Sequence, residues 1–167
     1  ETKGVFATDA EAKNAGKEGY LYMLNAAGNK QNFTSGDVHF VDQNGDDCSD
    51  ERDKVILGNP NPDFYGNIFA ALNWKNFTLD MGFNFSVGND VYNYQRSILN
   101  SGSTFYNQQV AEVGHWRYEG HEATLPKLAY GDPMGNNRFS DRWIEDGSYL
   151  RMKNLRMTYR IPVPESW

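Results

Sequence analysis

The sequence predicts an all-β chain, an antiparallel meander of long strands of the transmembrane-barrel type joined by long extracellular loops. Three observations carry this reading. First, Phe77, Leu79, Met81, Phe83, Phe85 and Val87 alternate with Thr78, Asp80, Gly82, Asn84, Ser86 and Gly88, the period of two that sends successive side chains to opposite faces of a strand. Second, an earlier run from Phe64 to Trp74 places Phe64, Gly66, Ile68, Ala70, Leu72 and Trp74 on one parity, and only Lys75-Asn76 separates the two runs. That is the length of a tight hairpin turn. Third, each run is roughly twice the 5–6 residues of an ordinary strand and close to the 9–11 or so that cross a bilayer.

The two faces differ in chemistry. Phe64, Ile68, Leu72, Leu79, Met81, Phe83 and Phe85 carry no charge and are expected to face outer-membrane lipid. Asn67, Asn73, Asp80, Asn84 and Ser86 are expected to line a wet lumen. Trp74 and Phe77 flank the turn where an interfacial aromatic girdle would lie, with Phe64 and Tyr92 near the other rim. A third run, 142–162, alternates Leu155, Met157, Tyr159 and Ile161 with Asn154, Arg156, Thr158 and Arg160, while Leu150 and Met152 hold the opposite phase. A bulge near Lys153, or emergence of the upper half from the bilayer, accounts for the switch. The six prolines all fall outside the alternating cores.

The organisation that follows has five parts: a region of extracellular loop and short strands (1–63), a transmembrane hairpin (64–90), a long extracellular loop (91–141), a further barrel strand (142–162) and a truncated end (163–167). Within the first, Asp9 to Lys17 is expected to form a short helix with Asp9 as N-cap and Gly16 as stop. The chain opens at Glu1 without an initiator Met and closes directly after a strand-like run, so both ends read as cut.

Composition removes other classes. Ten Phe, ten Tyr and four Trp are too many for a disordered chain, and Cys48 as sole cysteine leaves no disulfide scaffold. A net charge of −6, from 22 acidic and 16 basic residues, argues against nucleic acid as a partner. No apolar run approaches the ~18 residues of a membrane helix, which leaves membrane strands untouched.

One motif suggests a cation. In Asp42-Gln43-Asn44-Gly45-Asp46-Asp47-Cys48-Ser49-Asp50-Glu51-Arg52-Asp53, oxygen donors stand at loop positions 1, 3, 5, 9 and 12: Asp42, Asn44, Asp46, Asp50 and Asp53. Cys48 at position 7 would act through its carbonyl. That is calcium-loop spacing, and structural Ca2+ is the expected cofactor. Asp47 occupies the sharp-turn position usually held by Gly, and Asp53 is shorter than the usual Glu. Trp116, Tyr118, Tyr130 and Trp143 put flat rings into or beside the long loop, suited to stacking on sugars or gripping peptide. His115 and His121 lie among three glutamates in Glu112 to Glu122 but without a helical HExxH register. No nucleophile elbow, phosphate loop or other catalytic constellation occurs, so no enzyme activity is expected.

Several strings resemble the carboxy-terminal part of the SusC/RagA family of TonB-linked outer-membrane transporters. They are Gly4-Val5-Phe6 with Glu11-Ala12, Gly36-Asp37-Val38 leading into Asp42-Gln43-Asn44-Gly45-Asp46, and Ile56-Leu57-Gly58-Asn59-Pro60-Asn61-Pro62. Lys75-Asn76-Phe77 and Gly88-Asn89-Asp90-Val91-Tyr92-Asn93 follow, and the last runs from Arg138-Phe139-Ser140-Asp141 through Arg142-Trp143-Ile144-Glu145-Asp146-Gly147-Ser148-Tyr149 to Leu155. The resemblance implies part of an antiparallel barrel of roughly 22 strands with an amino-terminal plug, in the outer membrane of a Gram-negative bacterium. It implies import of glycan fragments or peptides, a SusD-like surface lipoprotein as partner, and energy from the TonB complex acting through an amino-terminal region absent from this sequence. The family usually reads Asp-Gly-Val where this chain has Asp47 and Cys48. The rival reading is a soluble secreted β-sandwich that binds carbohydrate, its acidic loop a structural calcium site.

Overall fold

The computed structural model describes residues 1–163, so the end assigned to 163–167 lies, from Pro164 on, outside the described residues. Along the chain stand β1 (Thr2–Val5), α1 (Asp9–Lys13), β2 (Tyr22–Leu24), β3 (Lys30–Asn32), β4 (Val38–Phe40), β5 (Phe64–Trp74), β6 (Phe77–Val87), β7 (Asp90–Tyr92), α2 (Tyr94–Leu99), β8 (Ile144–Asp146) and β9 (Tyr149–Tyr159). Strand dominates the regular structure, as an all-β chain requires. No helix among the described residues is long and apolar enough to cross a membrane. The chain divides into two units: Glu1–Leu57 with Tyr92–Ile144, and Gly58–Val91 with the chain from Glu145 on.

The second unit is built on a three-stranded antiparallel sheet in the order β5-β6-β9. β5 and β6 pair over their full length, from Phe64 opposite Val87 to Trp74 opposite Phe77. Lys75 makes the reversal with a left-handed φ of 52°, a conformation that favours glycine. β9 pairs with β6 from Tyr159 opposite Phe77 to Tyr149 opposite Ser86. Its register breaks once, where Gly82 pairs with Asn154 but Phe83 pairs with Met152, leaving Lys153 as the extra residue. This bulge is the cause of the phase switch and returns Leu150 and Met152 to the face that carries Leu155 and Met157.

The expected single strand over 142–162 is interrupted. A 3₁₀ turn covers Asp141–Trp143, and β8 leaves the long sheet to pair with β7. Asp146 Oδ1 then accepts from the Ser148 amide at 2.8 Å, an Asx turn that restarts the chain as β9. Gly147 is required there, because a Cβ would come within 2.3 Å of Asn89 Nδ2 and 2.5 Å of Val91 Cγ2.

The first unit packs a small core of Phe6, Ala12, Leu21, Phe33, Val38 and Phe40, between the pairs β1–β4 and β2–β3 and against α1. The helix is shorter than the expected Asp9 to Lys17, and its cap is Thr8. The Thr8 hydroxyl accepts from Glu11 N at 3.1 Å, while Glu11 Oε2 accepts from Ala7 N at 2.8 Å. Asp9 reaches away instead, accepting from Ser35 N at 2.8 Å, and this bond holds its carboxyl below the usual range. In the long loop, α2 forms where the sequence shows no sustained period, with Asn93 Oδ1 accepting from Arg96 N at 2.9 Å.

Candidate functional site

Directly paired residues of neighbouring strands share a face, so the register sorts the sheet's side chains without ambiguity. One face gathers Phe64, Ile68, Leu72, Leu79, Met81, Phe83 and Phe85, all seven expected lipid-facing residues, and β9 extends it with Leu150, Met152, Leu155 and Met157. None of the register-paired residues on it is charged. Ile68, Leu72, Leu155 and Met157 remain exposed within this chain, an apolar surface larger than a soluble chain leaves uncovered.

The opposite face gathers Asn67, Asn73, Asp80, Asn84 and Ser86, the five expected lumen-facing residues. Asn67 is opposite Asn84, and the Thr78 hydroxyl donates to Asn73 Oδ1 at 2.8 Å. The Ser86 hydroxyl is buried and donates to Asn89 Oδ1 at 2.8 Å. As the parity along β5 already implies, this polar face also carries aromatic rings, Tyr65 and Phe69, and both are exposed. Phe69 lies opposite Gly82, where a Cβ would meet its ring at 3.2 Å and Asn154 Oδ1 at 2.0 Å. β9 adds Tyr149, Arg151, Asn154 and Arg156 to the same face.

In the first unit the acidic loop folds around its own backbone. Asp42 accepts from the amides of Gly45 at 2.6 Å and Asp47 at 2.8 Å. Asn44 Oδ1 accepts from Asp46 N, and Asp46 Oδ1 from Cys48 N, both at 2.9 Å. Asp46 Oδ2 pairs with Arg52 Nη2 at 2.6 Å, and Asp50 Oδ2 pairs with the same guanidinium nitrogen at 2.8 Å. Asp53 is buried and accepts from the amides of Gln43 at 2.9 Å and Asp50 at 3.0 Å. The turn position that favours Gly is taken by Asp47 at φ 60°, one of the few side chains that tolerate this region. The Asp47 carboxylate clamps the amides of Lys17 at 2.6 Å and Glu18 at 3.0 Å, and those bonds lower its pKa.

Calcium at this loop stands as a proposal, and the loop's own contacts engage its oxygens. Oxygens that the spacing would aim at a shared centre accept instead from amides and from Arg52. Among the described residues no three of His, Cys, Asp and Glu stand together as metal ligands. That statement covers the His115 and His121 segment as well. The Cys48 thiol is buried, and burial raises its pKa, the setting of an inert thiol.

The loop aromatics divide. Trp143 is only 1% exposed, with Nε1 donating to the Arg138 carbonyl at 3.3 Å. It is a packing residue in this chain, and its place among substrate-contacting rings is withdrawn. Trp116 donates Nε1 to the Ala7 carbonyl at 3.2 Å and closes over Gly36, where a Cβ would meet Cε3 at 2.6 Å. Tyr118 and Tyr130 are exposed. Tyr118 stacks on His121 at 5.1 Å between ring centroids, and Tyr130 on the exposed Phe105 at 4.8 Å. Phe105 carries no sequence signal that would single it out.

Beside the acidic loop lies a cleft of about 460 Å³ with Met23, Leu24, Phe40, Val55 and Leu57 on its walls. Arg138 also lines it, with its guanidinium 4.0 Å from the centre of the Phe40 ring. Burial depresses the pKa of that guanidinium, and stacking on the ring compensates part of the desolvation.

No protein-family model matches the chain. TonB-dependent receptor P3 of Formosa agariphila is 32% identical over 123 residues, which is 74% of this chain and 12% of the relative. TonB-dependent receptor P26 of the same organism is 30% identical over 142 residues, 84% of this chain and 14% of the relative. The chain thus spans only about an eighth of the relatives it matches. A structure of the RagAB peptide importer in the 'closed-closed' state aligns with 83% of this chain and 14% of its own, at a TM-score of 0.58 and 24% identity. A structure of the RagAB peptide transporter aligns over the same shares at a TM-score of 0.55 and 24% identity. At that identity the likeness is one of fold.

Proposed function

Because this chain belongs to the TonB-dependent receptors, we propose that it is of the SusC/RagA type and supplies three neighbouring strands of a closed outer-membrane barrel of roughly 22 strands, together with extracellular loops. In this reading the whole protein imports glycan fragments or peptides beneath a SusD-like surface lipoprotein. Energy arrives from the TonB complex through a region outside this sequence. The chain carries wall and loop residues and no catalytic role.

The observation that carries the reading is the pair of faces on β5, β6 and β9. Each strand is 11 residues long, about the length that crosses a bilayer when tilted. Among the register-paired residues one face is free of charge across all three strands, and the other is rich in amides and hydroxyls, the division that lipid outside and water inside demand. A soluble sandwich would cover its apolar face with a second sheet. Neither the relatives nor the fold likeness supports the carbohydrate-binding sandwich.

The solved neighbours are structures of a peptide importer, so a peptide or similar oligomer is the proposed cargo, and the lipoprotein companion is what the family resemblance implies. Tyr118 and Tyr130 are the loop rings offered for contact with the cargo. The test is uptake of labelled oligomers by cells expressing the intact protein with its lipoprotein. Uptake that needs the transporter and a TonB-competent inner membrane is expected. Uptake that persists without the transporter overturns the reading.

A further inference from the structure

The cleft beside the acidic loop stands open although much of its wall is apolar. Met23 and Leu24 of β2, Phe40 of β4, Val55 and Leu57 line it, with Glu1 and Val41 also in its wall. Leu24 is 52% exposed and Val55 42%, whereas side chains of this kind ordinarily pack against a neighbour. Arg138 lines the cleft as well. Its Nε donates to the Gly135 carbonyl at 3.1 Å, and its Nη2 is buried with no hydrogen-bond partner among the described residues. A buried donor without an acceptor is costly, so whatever covers the apolar wall is expected to bring an oxygen.

The backbone of β1 leads to this cleft. β1 and β4 are antiparallel with Thr2 opposite Phe40, and Val41 N donates to the Glu1 carbonyl at 3.1 Å. The ladder is therefore still intact at Glu1, and both Glu1 and Val41 stand at the cleft. Successive residues of a strand alternate between its faces. The residue preceding Glu1 thus shares the face of Thr2 and Phe40, and Phe40 belongs to the core of this unit. As a diagonal neighbour of Phe40 it lies within reach of that ring. The relatives extend far beyond the part that matches, so further chain is at hand to fill the space. We propose that the segment preceding Glu1 docks in this cleft in the intact protein. The residue immediately before Glu1 is a large apolar side chain packed on Met23, Leu24 and Phe40, and a backbone carbonyl of the segment accepts from Arg138 Nη2. Docking ties β1 to the acidic loop, whose Asp50 and Asp53 stand in the same wall. The inference depends on neither the cargo nor the lipoprotein of the transporter reading.

The intact protein tests this in three ways. The residue encoded before Glu1 is expected to be Val, Leu, Ile, Met or an aromatic, and any other residue there overturns the proposal. Hydroxyl-radical labelling, corrected for the intrinsic reactivity of each side chain, then compares Leu24 and Val55 inside the cleft with Ile56, which is 96% exposed and outside it. The exposures within this chain alone give Ile56 an excess of about twofold. A docked segment raises that excess to about fivefold or more, because packed interiors exclude solvent. The protection is expected in protein purified without lipoprotein and without cargo. An excess that stays near twofold overturns the proposal. Protection that appears only after the lipoprotein or a peptide is added assigns the cleft to that partner, and the proposal falls. Replacing the residue before Glu1 by Asp is expected to return the excess to about twofold while labelling of Ile56 itself stays the same. An excess that the Asp variant leaves unchanged overturns the proposal. Where that variant fails to assemble, the encoded residue and the labelling of the parent still decide it.

Discussion

Asn136 and Asp37, 99 residues apart, meet in the core of the first unit, where Asn136 Nδ2 donates to Asp37 Oδ1 at 3.0 Å. Both are essentially unexposed. The same asparagine accepts from Val38 N at 2.8 Å, and the other Asp37 oxygen accepts from Lys127 Nζ at 3.0 Å and Thr34 N at 2.9 Å. Truncating Asn136 leaves a buried amide and a buried carboxylate oxygen each short of a partner. Asn136→Ala is expected to cost about 2–4 kcal/mol. Hydrogen exchange in the intact protein checks it: the Val38 amide loses protection while amides of β6 keep theirs.

The acidic loop closes on amides and Arg52, so a chelator is expected to leave the thermal transition of the intact protein unchanged, whereas Asp42→Ala lowers it. A downward shift on adding chelator would instead establish a bound cation.

Asp47 gives that loop a pH dependence. Its folded pKa is depressed by the amides of Lys17 and Glu18. The stability it contributes is therefore present above the unfolded value and is lost as pH falls through the folded one. Asp47→Asn should flatten the acid limb of loop stability, measured by exchange at the Lys17 and Glu18 amides.

Glu112 works in the opposite sense. It is buried, its Oε1 has no hydrogen-bond partner among the described residues, and burial raises its pKa against the weaker pull of His115 and Arg142. A raised folded pKa means stability that is present below the unfolded value and lost as pH rises through the folded one. Glu112→Gln is expected to match the parent near about pH 4 and exceed it near about pH 8 in thermal unfolding. A variant less stable at both would show that the carboxylate form is needed.

At the hairpin turn, Lys75 holds a left-handed φ of 52°. Lys75→Gly relieves roughly 1 kcal/mol of that strain and is expected to slow unfolding of the β5–β6 hairpin of the intact protein in denaturant. Faster unfolding would show that the Lys75 ammonium, 5.1 Å from the Trp74 ring centre, matters more.

What the sequence made legible follows from the range of the forces involved. The hairpin depends on parity and a two-residue turn, both local, and β5 and β6 fall where the alternation puts them. The bulge at Lys153 was readable because a phase switch in a strand has few physical causes. The break before β9 was not, since it depends on Gly147 passing close to Asn89 and Val91. Trp143 and Tyr130 look alike in sequence, yet one is buried and the other exposed, because distant segments cover the first. The calcium spacing was real, but spacing alone does not say whether an oxygen turns toward a cation or a neighbouring amide. The Asp37–Asn136 contact had no local signal at all.

In the transporter reading β6 has lipid on one side and water on the other. A nitroxide scan over residues 77–87 of the intact transporter in bilayers, with Cys48→Ser as background, tests this directly. Collision with oxygen, which concentrates in lipid, is expected to peak at Leu79, Met81, Phe83 and Phe85. Collision with a water-soluble nickel chelate should peak at Thr78, Asp80, Gly82 and Asn84, giving two profiles of period two in opposite phase. A profile without that period, or nickel access at Met81 and Phe83 equal to that at Asp80 and Asn84, would contradict the account.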